Sequence, residues 1–161
     1  MYKFIDISKP SDLSLWCNFL VAFYCLFRKA NVAPKSLSNF NSSKELSRRK
    51  FMILDDTVLI YSNWSKTNQF MNRDSVYPLV RNCTIALDPV FHLKRLFQFE
   101  INHDSPAISY FKNGNLKCIT YDFFTKRLKS LLTLSGYAPE LYSGHSMRRG
   151  VLPLYFRWVV T

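Results

Sequence analysis

The sequence predicts an α+β fold, mostly helical, with one small antiparallel sheet of two or three strands. Two stretches of helical period, one of strand period and the composition carry that reading. Between residues 13 and 27, and again between 121 and 135, apolar side chains recur every three or four positions, as one face of a helix requires. Between residues 51 and 80 the period drops to two, the mark of a strand with one face covered. A chain of 161 residues that is 48% hydrophobic and 16% aromatic, with only four Gly, can bury one core and is too apolar for a disordered basic tail.

The elements follow in order. After Lys9-Pro10-Ser11, Leu13, Trp16, Leu20, Phe23 and Phe27 form one stripe and Cys17, Val21 and Tyr24 a second beside it. Such a helix is apolar around most of its circumference and is expected to be deeply packed. Arg28 continues the second stripe near the helix end. A guanidinium cannot shed its charge, so at the edge of an apolar face it needs a carboxylate, a phosphate or a route to water. Pro34 is expected to close this helix. The strands come next: FMIL and TVLIYSNW flank Asp55-Asp56, and SVYPLV follows a polar break from Asn68 to Asp74. Lys66 falls at or just past the end of the second strand. Asp88-Pro89 can begin another helix, with Val90, Leu93, Leu96 and Phe97 on one face, which a loop with His103 and Pro106 ends. The last long helix runs from Tyr121 to about Ser135 through Phe123, Phe124, Leu128, Leu131 and Leu132, and Gly136 stops it. GYAPELYSGHSMRRG then reads as a polar turn leading into a short helix that carries His145, Arg148 and Arg149.

Charge narrows the function classes. The chain holds 22 Lys and Arg against 11 Asp and Glu, a net +11, which favours a polyanionic partner such as nucleic acid or an acidic membrane surface. The excess is uneven. Residues 1–50 carry nine bases and three acids, 51–110 five and six, and 111–161 eight and two, so two basic flanks bracket a near-neutral centre. Cys17, Cys25, Cys83 and Cys118 are widely spaced among apolar residues and form no CxxC pair, which points to buried thiols in a reduced intracellular compartment. The apolar run Leu13 to Phe27 is too short to span a bilayer and lacks the flanks of a signal peptide, so no membrane segment is expected. His92, His103 and Cys83 are too scattered for a zinc site.

SGHSMRRG is the most informative run. His145 and Arg148, three apart, project from one face of a helix and can meet the same group. A phosphate suits them: arginine offers a planar fork for two oxygens, and histidine moves a proton near neutral pH.

Arg28 in AFYCLFRKANVAPKSL, Lys66 in NWSKTNQF, and GYAPELYSGHSMRRG together resemble the catalytic domain of a tyrosine recombinase or integrase, closest to the Crypton-like and DIRS-like type of eukaryotic mobile elements. The resemblance runs from about Leu15 to Gly150. It implies a mostly helical catalytic core with a small sheet, double-stranded DNA as partner, full-length recombinase protomers as further partners, and nuclear or otherwise intracellular localisation. It implies that Arg28 is the family's first arginine, Lys66 its hairpin lysine, and His145 with Arg148 its HxxR box, with Arg149 a further phosphate contact. The family's chemistry uses no metal or cofactor: a tyrosine attacks a phosphodiester and forms a 3′-phosphotyrosyl link. Arg28 and Arg148 would stabilise charge on the non-bridging oxygens. Lys66 would protonate the leaving 5′ oxygen, and His145 would assist proton transfer.

Three features depart from the family pattern. Asn31, three after Arg28, stands where many members carry an acid. The family's tyrosine comes two to three dozen residues after the second arginine, whereas 13 residues follow Arg148 here; Tyr155 and Trp158 are too close, and Tyr142 precedes the box. The amino-terminal DNA-clamping domain usual in the family is also absent. Residues 1–150 are therefore expected to be a partial catalytic domain lacking its carboxyl-terminal helices and unable to cleave, with 151–161 an aberrant tail. Back-translating VLPLYFRWVV as GTG CTA CCT TTA TAC TTC AGG TGG GTT GT, with one G restored in front, gives a frame reading GATFILQVGC, which resembles the family's GAT-type continuation and suggests a one-base frameshift. The other readings are a non-catalytic DNA-binding module and a degenerate fragment. Each site residue also has a plain structural alternative: Arg28 as a cation at a helix carboxyl end, Lys66 as a strand-end lysine, His145 and Arg148-Arg149 as solvated polar groups.

Overall fold

The computed structural model describes residues 1–62 and 75–142. The chain is α+β: among the described residues, four helices accompany antiparallel sheets of three and two strands. No helix among them is long and apolar enough to cross a membrane.

Helix α1 (Pro10–Tyr24) begins on a proline, where the missing N–H has no intrahelical partner to lose. It is buried at ten successive positions, Leu13 to Ala22, so its two apolar stripes place it at the centre of the core. Phe19 meets the Phe124 ring edge-on at 4.9 Å, and Trp16 Nε1 donates to the Ala86 carbonyl at 2.8 Å. The helix ends ten residues earlier than Pro34 suggested. After Tyr24, Leu26 N–H donates to the Phe23 carbonyl at 3.3 Å and Phe27 N–H to the Ala22 carbonyl at 3.1 Å, with Leu26 at φ +54°. These two bonds close a Schellman turn, with leucine where glycine is usual. The turn takes up the last carbonyls of α1, and the chain restarts as the single turn α2 (Lys29–Val32).

Strands β1 (Phe51–Ile53), β2 (Thr57–Ser62) and β3 (Ser75–Val80) pair antiparallel in that order, as the alternation predicted. Phe51, Val58, Ile60 and Leu79 are buried against the helices. The opposite face carries Met52, Leu59 and Pro78 in one row and Tyr61 with Val76 in the next, and none of these described strand residues is charged.

Helix α3 (Pro89–Phe97) starts where Asp88 and Pro89 placed it, the Asp88 carboxylate accepting from Phe91 N–H at 3.0 Å. Strands β4 (Ser109–Lys112) and β5 (Asn115–Cys118) form a second hairpin, beyond the two or three strands that the alternation predicts. Asn113 and Gly114, both at positive φ, make its two-residue turn. Asn-Gly is the strongest short-range hairpin signal there is, so the element was legible. Helix α4 (Tyr121–Leu134) is capped by Thr120 and closed at Gly136, φ +81°, by the same Schellman pair of bonds as α1. A 3-10 turn, Pro139–Leu141, follows.

Candidate nucleic-acid interface

Arg28 is the predicted site residue that falls within the described chain; Lys66, His145, Arg148 and Arg149 lie outside the described residues. Arg28 does not sit on α1, as its stripe position suggested. The left-handed turn at Leu26 carries it off the helix to the N-cap of α2.

Its backbone is held from several sides. Arg28 N–H donates to Asn31 Oδ1 at 3.2 Å, and Asn31 N–H returns a bond to the Arg28 carbonyl at 2.8 Å. Asn31 thus steadies the main chain of Arg28 and leaves the guanidinium alone. On one side Phe27 packs edge-on against Tyr77 of β3, ring centroids 4.7 Å apart. Tyr77 lies two residues from Ser75, whose partner across the sheet, Ser62, is the last residue of β2. On the other side Lys29 Nζ sits 3.8 Å over the Tyr121 ring and donates to Thr125 Oγ1 at 3.4 Å, fixing α2 on the first turns of α4. The Arg28 side chain itself is exposed and, among the described residues, makes no hydrogen bond or ion pair.

Arg48 is the opposite case. It is 5% exposed, its Nη2 donates to the carbonyls of Leu96 at 3.1 Å and Phe99 at 2.6 Å, and its guanidinium lies 4.1 Å from the Phe97 ring centroid. Those acceptors are the last carbonyls of α3 and the turn after it, so this arginine closes a helix end. A cavity of about 470 Å³ opens beside it, between Phe51, Phe97 and the 99–103 loop. It does not include Arg28.

His92 is fully buried, with Nε2 2.9 Å from the Ile85 carbonyl; burial lowers its pKa from the ordinary histidine value, so it is a neutral core group. Among the described residues no three His, Cys, Asp or Glu side chains come together as metal ligands would.

Other exposed cations escaped the sequence reading. Lys126 and Lys129 lie on the solvent side of α4, away from buried Phe124, Leu128, Leu131 and Leu132. Their spacing of three, opposite the apolar stripe, was the available signal. No family model, curated protein or solved structure matches this chain.

Proposed function

We propose that the chain is a tyrosine recombinase-like domain that binds duplex DNA through backbone phosphates, with Arg28, Lys66, His145 and Arg148 as the groups that grip one phosphodiester and Arg149 beside them. The observation that carries this reading is Arg28. A leucine at φ +54° and four anchoring contacts hold its backbone, while its charge stands exposed without a described partner. Backbone strain tends to be kept where it places a working group, and an arginine whose task was only to cap α1 would point at the carbonyls that the Schellman turn already satisfies. Arg48 shows what a capping arginine looks like in this fold.

The proposal is one of DNA binding, and it assigns no nucleophile among residues 1–161. Two measurements test the proposal. Binding to a fluorescent duplex should weaken linearly in log salt, with a slope near −0.9 per phosphate neutralised. Arg28→Ala should lower affinity about fivefold to tenfold and flatten that slope by about one. An unchanged affinity would remove Arg28 from the site. Incubation with a nicked suicide substrate should give no covalent adduct; an adduct lost on mutating one tyrosine would restore the reading of an active recombinase.

A further inference from the structure

We infer that α4 lays a second line of phosphate contacts along the same duplex, made by Lys126 and Lys129 and joined to Arg28 through Lys29. This rests on the proposed DNA-binding reading and extends it to residues to which the resemblance assigns no role. The argument begins with where the cations are not paired. The described ion pairs join Lys9 to Asp6, Arg49 to Asp104, Arg81 to Asp56, Lys94 to Asp55 and Arg127 to Asp12. None of them uses a cation of α2 or of the solvent ridge of α4. Placement then connects these cations. Lys29 Nζ lies against Tyr121 and Thr125, and Lys129 is four residues on from Thr125, hence one turn further along the same side of the helix. Lys126 lies on the outer flank of Lys129. The result is a band that runs from Arg28 across Lys29 to Lys129 and Lys126, interrupted by one exposed acid, Asp122, in the first turn of α4.

Lys112 and Lys117 on the β4–β5 hairpin are also exposed and outside the described ion pairs, so what singles out α4 is its contact with α2 through Lys29. Among the described residues, the strand positions on the outer side of the three-stranded sheet are uncharged, and Arg48 is buried. A polyanion that engages the exposed guanidinium of Arg28 meets Lys29 and, along the α2–α4 contact, Lys129 and Lys126. The helix has 14 residues and is about 21 Å long, a length over which one DNA strand presents about six phosphates. Lysine is suited to this use, because its ammonium is a mobile point charge that tolerates varied phosphate positions.

The test compares Lys126→Glu/Lys129→Glu with a charge-matched reversal on neither α2 nor α4, Lys3→Glu/Lys44→Glu, by anisotropy of a labelled random-sequence duplex. The ridge variant should lose at least about tenfold in affinity and flatten the salt slope by about two, with a clearly smaller change in the control. Lys126→Arg/Lys129→Arg should bind as the unaltered chain does, which separates lost charge from a disturbed helix. If the control loses as much as the ridge variant, net charge alone explains the effect and the ridge is not a contact surface. If Arg28→Ala weakens binding while the ridge reversal matches its control or is neutral, the ridge fails and the DNA-binding reading stands. If the unaltered chain shows no salt-dependent duplex binding, both fall.

Discussion

Leu26 sits at φ +54°, a conformation that an L-residue pays roughly 1 to 2 kcal/mol to adopt and that glycine adopts freely. Gly136 closes α4 with the same pair of hydrogen bonds, so the turn chemistry does not itself require leucine. What leucine adds is a half-buried side chain in a turn that sends the next residues away from α1. Packing and strain can be told apart by substitution. Leu26→Val keeps most of the apolar surface but puts a β-branched side chain where positive φ tolerates it least, whereas Leu26→Gly discards the surface and removes the strain. We expect the valine variant to be the less stable of the two, by about 1 kcal/mol in urea denaturation. The reverse order would mean that burial at Leu26, not backbone conformation, governs the turn. Asn31 belongs to the same device. Its Oδ1 takes the Arg28 N–H, a role that a carboxylate oxygen would fill equally well.

Elements built on periodicity were legible, and their ends were less so. The stripes of α1 and α4 and the alternation of β1 to β3 each reflect burial on one side or all round, a quantity written directly into side-chain polarity. The end of α1 was misplaced because its apolar period continues through Phe27, which is buried in the turn itself. Periodicity reports burial and cannot by itself distinguish a buried helical residue from a buried turn residue. The β4–β5 hairpin is obscure to periodicity for the converse reason: Ser109 to Lys112 and Asn115 to Cys118 are only four residues each and half polar, and the information lies in Asn113-Gly114. Arg48 was not legible at all, since its acceptors are main-chain carbonyls on an element some fifty residues away. Its energetic weight is testable at the level of α3. Arg48→Ala leaves the Leu96 and Phe99 carbonyls without this donor and removes a stem packed on Phe97, which should cost about 2 to 4 kcal/mol of unfolding free energy. Arg48→Lys keeps the charge but not the planar fork or the stacking, and should recover less than half of that. A loss below about 0.5 kcal/mol for the alanine variant would show that water replaces the guanidinium at no cost.

At the scale of the whole molecule, the proposed phosphate-gripping set draws on three segments of the sequence, of which the described residues include the one that carries Arg28. Arg28 and Tyr77 stand 49 positions apart in the sequence, yet Tyr77 meets Phe27, the residue before Arg28, edge-on at 4.7 Å. That proximity comes from tertiary packing about α1, which no local pattern encodes. The packing about α1 can be probed through the thiols, because two of the four cysteines lie on it or at its cap. Cys17 and Cys25 are 0% and 6% exposed, and burial alone pushes the Cys25 thiol up to about 12 and raises Cys17 further. The thiolate is the reacting form, so both are protected twice, by access and by protonation. Cys118 is half-buried with its pKa also raised by burial, and Cys83 is exposed. Alkylation by iodoacetamide at mildly alkaline pH, mapped by mass spectrometry, should label Cys83 first and Cys118 more slowly. Cys17 and Cys25 should react only through opening of the core, at rates that rise with urea in parallel with global unfolding. Because α1 contacts α3, α4 and β4, it has no way to open without the rest, and its two thiols should therefore respond to urea with one common slope. Labelling of Cys17 as fast as Cys83 in the absence of denaturant would show that α1 is not the centre of a cooperatively folded core.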